Sequence, residues 1–121
     1  MNITEHFLYS EMVCPCCERI KIIPAFYTHM DMLEEMRQRF ELPIIITSGY
    51  RCPEHNAEIG GALNSWHQLF ATDVRPEWGH GFEHKLRNIY RLALLLNFGG
   101  IGYYSSWIHL DTRPETARWR K

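Results

Sequence analysis

His67, Asp73 and His109 fall in two short, turn-rich stretches, SGYRCPEHNAEIGGALNSWHQLFATD ending at Asp73 and GGIGYYSSWIHLD starting at Gly99. Two imidazoles and one carboxylate are the donor set of a catalytic zinc that keeps its fourth position open. Such ligands leave the metal enough positive charge to bring the pKa of water down towards neutrality. A second group with metal or redox chemistry is Cys14, Cys16 and Cys17, with Cys52 far along the chain. Cys14 and Cys17 have the C-x-x-C spacing of a metal knuckle, but no second pair of that kind completes it. Three readings stay open for these thiols: a structural zinc shared with Cys52, one or two disulfides, or reduced side chains, the default in a cytoplasmic chain.

The elements that must hold these groups follow from periodicity. Phe26, Met30, Leu33 and Phe40 recur at intervals of one helix face, and Pro24 suits a first turn, so a helix is expected from Pro24 to Phe40. After Pro43, the β-branched run Ile44 to Thr47, closed by Ser48 and Gly49, reads as a short buried strand. Gly49 to Asn64 is a structured loop with a helical turn or two from Pro53. Ala71 to Val74 forms a second short strand, and Pro76 to Gly81 a turn. Phe82, Leu86, Ile89, Ala93 and Leu96 mark a second long helix, which Gly99 and Gly100 are expected to end by supplying positive φ. Ile101 to Tyr104 and Trp107 to Leu110 read as a hairpin at the antiparallel end of a sheet, joined by Ser105 and Ser106. The basic tail from Thr112 to Lys121 is expected to fray at its end. These elements make an α+β domain, a small and mostly antiparallel sheet with helices packed on one side.

Composition bounds the partners. At 121 residues the chain has the size of one domain, spanning 1–121, with about the first 20 residues forming a cysteine-containing segment. A hydrophobic fraction of 45% argues for a packed core rather than disorder. Thirteen Lys and Arg balance fourteen Asp and Glu, so no global field steers the chain to nucleic acid. No stretch reaches the roughly 18 apolar residues of a membrane span, and the N-terminus lacks the pattern of a secretory signal. The expectation is a protein made in the cytoplasm, monomeric by default, that reaches an outside substrate only by lysis, a pore or a larger assembly.

Taken in order, SGYRCPEHNAEIGGALNSWH, Ala71-Thr72-Asp73 and GGIGYYSSWIHLDTR resemble the zinc D-Ala-D-Ala carboxypeptidases and L-alanyl-D-glutamate endopeptidases of cell-wall metabolism, in their small phage and bacterial form. The opening HFLYSEMVCPCC, followed by a helix, looks like their first segment. The resemblance implies the fold these peptidases share with the hedgehog signalling domain. It also implies Zn2+ held by His67, Asp73 and His109, with Arg51 as the cation for the oxyanion or a substrate carboxylate and Ser65 as a substrate contact. The partners it implies are the peptide stems of peptidoglycan, cleaved by a carboxypeptidase or an endopeptidase in lysis or remodelling.

Two departures from that family bear on activity. Five residues, Gln68 to Thr72, separate His67 from Asp73, one fewer than usual. Because Ala71-x-Asp73 keeps its spacing, the loss is placed in the turn at Gln68 to Phe70, upstream of the strand. Ser106 stands where carboxypeptidase relatives carry an acidic base, and serine does not take a proton from water at neutral pH. Asp111 is the best local substitute, because residues two apart on a strand share a face with His109; it could equally orient that imidazole. His80 and His84 are further proton-shuttle candidates, while His55 is read as a surface or loop-packing residue. Tyr103, Tyr104 and Trp107 either line a cleft or cap a core edge. The shortened loop and Ser106 favour the rival reading, a relative without turnover that acts as a binding or assembly module.

Overall fold

The computed structural model describes residues 1–62 and 64–121. Its frame is a five-stranded sheet of order β1-β2-β4-β3-β5, formed by β1 (Ile44–Ser48), β2 (Ala71–Pro76), β3 (Gly100–Tyr103), β4 (Ile108–Asp111) and β5 (Ala117–Arg120). Three pairings are antiparallel and the last, β3 with β5, is parallel. Two long helices, α2 (Pro24–Phe40) and α4 (Phe82–Leu95), cover one face. Short helices α1 (Tyr9–Met12) and α3 (Pro53–Glu58) complete the set among the described residues.

Alternation along the strands divides the chemistry from the core. Val74, Ile101, Ile108 and Leu110 point to the helices, where they meet Phe26, Met30, Leu33 and Met36 of α2 and Leu86, Ile89 and Ala93 of α4. Asp73, His109 and Asp111 alternate with them and therefore face the other way. Thr72, on the helix side, is bonded at 2.8 Å to the Nε2 of His29 from α2. Burial lowers the pKa of His29 to about 3, so this ring is neutral. It packs edge-on against Phe70 and Phe98 and works as a core residue.

Helix boundaries follow local chemistry. Pro24 occupies the first turn of α2, where its missing N–H costs no bond. The helix ends at Glu41, whose left-handed backbone (φ 63°) returns its N–H to Arg37. For α4 the positive φ lies at Asn97 (63°), not at Gly99 or Gly100 as expected. Those glycines answer a different need: a Cβ on Gly99 would collide with the Arg113 backbone, and one on Gly100 with the Asp111 carboxylate.

Four further expectations are corrected. The run Ile44–Ser48 is an edge strand, with only Ile44 fully buried. The β3–β4 hairpin lies in the interior of the sheet, because the chain after Thr116 returns as β5. The supposed frayed tail is thus a strand, tied by Ala117 N–H to Gly99 O at 2.9 Å and by Lys121 N–H to Tyr103 O at 2.9 Å. Arg118, Trp119 and Arg120 carry a period-two alternation that a short basic segment conceals. Pro76 also belongs to β2, whose end it forms opposite Ile44.

The N-terminal segment is anchored rather than loose. Phe7 and Met12 are buried in the core, and the Nδ1 of His6 lies 2.6 Å from Glu34 of α2. Tyr50 N–H donates to Met12 O at 2.9 Å, and Gly49 lies so close to the Met12 backbone that a side chain would not fit.

Candidate metal centre and cleft

Register places the centre. Asp73 on β2 pairs with His109 on β4, which pairs with Gly102 on β3, which pairs with Trp119 on β5. One row across the sheet thus runs carboxylate, imidazole, glycine, indole, and Gly102 leaves the space that the Trp119 ring fills. His67 reaches the row from a 3-10 turn (Trp66–Gln68) that leads into β2. The connection from His67 to β2 is this tight turn followed by Leu69 and the buried Phe70. Asp73 keeps the face it shares with His109.

Nε2 of His67 lies 3.3 Å and Nδ1 of His109 lies 3.2 Å from Asp73 Oδ1. Each ring's other nitrogen is already engaged. His67 Nδ1 is 2.8 Å from Gly49 O, and because a carbonyl only accepts, that nitrogen carries the proton. His109 Nε2 is 2.8 Å from Asp111 Oδ2, which fixes its proton in the same way. Two ring lone pairs and a carboxylate oxygen therefore converge, their protons committed elsewhere. A divalent cation satisfies that arrangement, and the outer partners are those that orient metal-bound histidines. Burial opposes ionisation of Asp73, but His109 and His67, when protonated towards it, outweigh burial and hold the carboxyl well below the usual range. Burial also opposes charge on His109, yet Asp111 and Asp73 together make its imidazole more basic, as suits a ligand.

Arg51 extends along the edge of the centre, with its guanidinium 3.5 Å from Asp73 Oδ2. Its Nε donates to Ser48 Oγ at 3.2 Å and its NH1 to Asn56 Oδ1 at 3.3 Å. Asn56 is buried and spends its own amide on Ala62 O, so it holds Arg51 rather than a ligand. Nothing in the sequence marked it. The Arg51 backbone is tied as well, its N–H donating to His67 O at 2.8 Å. Ser65 caps the 3-10 turn, accepting from His67 N–H at 3.2 Å, and lies on the cleft wall.

Asp111 is fully buried, does not line the cleft, and has both oxygens engaged. Arg113 donates to it from Nε at 2.8 Å and NH2 at 2.6 Å, and His109 from the other side. Burial would raise its pKa, but Arg113 and His109 drive it far below the usual range. His80 is exposed, and His84 projects from α4, the helix on the opposite face of the sheet, towards Asn88. Neither reaches the centre.

The cleft over the centre has a volume of about 390 Å³, with walls from Trp66, Tyr104, Trp107 and Trp119. Tyr104 stacks on Trp107 at 4.4 Å between centroids and accepts a hydrogen bond from Trp119 Nε1 at 2.9 Å. Tyr103 instead packs against Tyr90 of α4. Arg113 lies over the Trp66 and Trp119 rings, and these three residues were not singled out in the sequence. A second cavity of about 540 Å³ adjoins it and shares Arg51, Asp73 and Trp107; His55 is on its wall.

No curated protein matches the chain. The family model described as Peptidase M15 matches residues 5–111, which takes in all three converging donors, Arg51 and Ser65, and stops at Asp111, before the Trp119 wall. With nearly the whole α+β chain matched and a His/Asp cluster suited to their metal dependence, the chain belongs to the Peptidase M15 family of metallopeptidases.

Proposed function

We propose that this protein is a zinc peptidase that hydrolyses an amide bond in the peptide stem of peptidoglycan, in wall lysis or remodelling. The observation that carries the reading is the convergence of His67 Nε2, Asp73 Oδ1 and His109 Nδ1, with the remaining ring nitrogens held by Gly49 O and Asp111. Zinc bound there supplies Lewis-acid chemistry, activating water and polarising the scissile carbonyl. The chain's own residues do the rest. His67, Asp73 and His109 hold the ion, and Asp111 keeps the His109 tautomer that presents Nδ1.

Arg51 sets a preorganised positive charge beside the centre, where it meets the charge developing on the carbonyl oxygen or a substrate carboxylate. Ser48 and Asn56 hold its guanidinium in place, so little reorganisation is needed on binding. The Ser65 hydroxyl, whose oxygen already accepts from His67 N–H, keeps its own hydrogen for a substrate oxygen. The aromatic walls offer flat apolar surfaces to the stem. Two cavities meet at Arg51, Asp73 and Trp107 and give room to stem residues beside the scissile bond.

One observation supports the second reading, a wall-binding relative without turnover. Among the described residues, no carboxylate other than Asp73 lines the cleft over the centre, and Asp111 is spent on His109 and Arg113. Digestion of purified peptidoglycan by the zinc-loaded protein, with mass spectrometry of the released fragments, decides between them. Cleaved stems with new termini are expected; a wall that binds the zinc-loaded protein and stays intact establishes the second reading.

A further inference from the structure

We propose that Cys14, Cys16, Cys17 and Cys52 form a second zinc site, closed by four thiolates, that pins the N-terminal segment to the loop carrying Arg51. The sequence shows one incomplete knuckle and a distant cysteine, but the fold brings all four together. Cys14 Sγ lies 3.4 Å from Cys16 Sγ and 3.6 Å from Cys52 Sγ, and Cys16 Sγ lies 3.0 Å from Cys52 Sγ. Cys17 completes a set in which every sulfur is within 4.8 Å of every other. Tetrahedral zinc with bonds of about 2.3 Å places sulfur pairs about 3.8 Å apart, in the middle of this range. A disulfide needs about 2.05 Å, shorter than each of these three separations, and two of them would draw the sulfurs into two pairs rather than one mutual quartet of free thiols.

The backbone is shaped for such a cage. Glu18 takes a left-handed conformation (φ 56°) directly after Cys17, its N–H donates to Cys14 O at 2.7 Å, and Cys14 N–H donates to Arg19 O at 2.8 Å. This closed reversal turns three cysteines in one direction. The fourth arrives from the start of α3, where His55 N–H donates to Cys52 Sγ at 3.4 Å, a contact that stabilises a sulfur anion. Four soft thiolates select zinc over magnesium or calcium, and with no open position the site is structural rather than catalytic. It does not depend on the peptidase reading, because its evidence lies outside the cleft.

Metal analysis of the full chain tests it independently of hydrolysis. Two zinc ions per chain are expected in the wild type, one in His67→Ala, and one in Cys17→Ser. Because a cysteine variant can fail by unfolding, the decisive measurement uses His67→Ala, with all four thiols intact. Loaded with cobalt, it should show intense thiolate-to-metal charge-transfer absorption, and loaded with zinc, its thiols should resist alkylation until a chelator is added. A cobalt spectrum without that absorption, thiols that alkylate equally fast with and without zinc, or a mass showing disulfides before reduction would overturn the proposal.

Discussion

Arg51 and Cys52 are neighbours in sequence, yet each serves a differently built site. Donors of the His67, Asp73 and His109 centre come mainly from paired interior strands, and their positions are set by register. Those of the cysteine cluster come from a tight reversal and the start of a six-residue helix, so their positions depend on what holds the loops. One site has three donors and a cleft above it; the other has four and none to spare. The sheet itself sets the strand-built donors, whereas the loop-built site would gain rigidity from a bound ion.

The largest expected effect separates the two sites outright. His67→Ala should abolish hydrolysis of peptidoglycan stems while leaving the cysteine-bound zinc in place, and retention of activity would break the assignment of the open site. Graded chelation sharpens the same contrast: activity should disappear before the cysteine-bound ion leaves, and thermal stability should fall only at the second step. Loss of both ions together would show one coupled centre.

Next in size, Arg51→Ala should lower kcat by about 10²–10³ with zinc content unchanged, the cost of removing one preorganised charge at the reacting oxygen. Steady-state kinetics with a soluble stem peptide checks this, and a change confined to KM would make Arg51 a binding residue only. Asp111→Asn should weaken zinc at the open site by about 10–100-fold, because the His109 tautomer loses its carboxylate partner. A metal-competition titration reads this effect, and an unchanged affinity would remove Asp111 from the positioning role.

The smallest effect concerns the N-terminal segment. Burial opposes ionisation of Glu34, but the Thr4 hydroxyl and the side chain and backbone of His6 outweigh it and lower its pKa to about 2. A depressed carboxyl stabilises the fold above its unfolded value, and that contribution is lost as pH falls towards the folded one. Stability should therefore decline below about pH 4.5 towards pH 2, and Glu34→Gln should remove about 1.5–3 kcal/mol at neutral pH and flatten that decline. Denaturant titrations across pH measure it. A variant as stable as the wild type would mean that the cysteines hold the segment alone.

How much of this was legible in the sequence differs between the two regions for a physical reason. The helices at Pro24–Phe40 and Phe82–Leu95 were readable because a buried face repeats over several turns. His67, Asp73 and His109 were readable because each stands in a distinctive local context, and strand alternation carries that context into a shared face. The cysteine quartet was legible only as one of three open readings, because the choice among them depends on a contact 35 residues away from Cys17 that no local pattern decides. Asn56, Arg113 and Trp119 were missed for the same cause: each acts through a partner on another element. The tail looked frayed because four residues of alternation between arginines do not stand out from solvated charge.

His67 is held to the segment before α3 by two main-chain links, its Nδ1 to Gly49 O and its carbonyl to Arg51 N–H. The ring and the guanidinium are therefore one mechanical unit, positioned by the strand that precedes them rather than by the peptide that follows. The connection through Gln68 and Leu69 only has to bridge from that unit to Asp73. Because the unit is fixed from that side, the residue count between the two donors is a poor measure of the geometry of the centre.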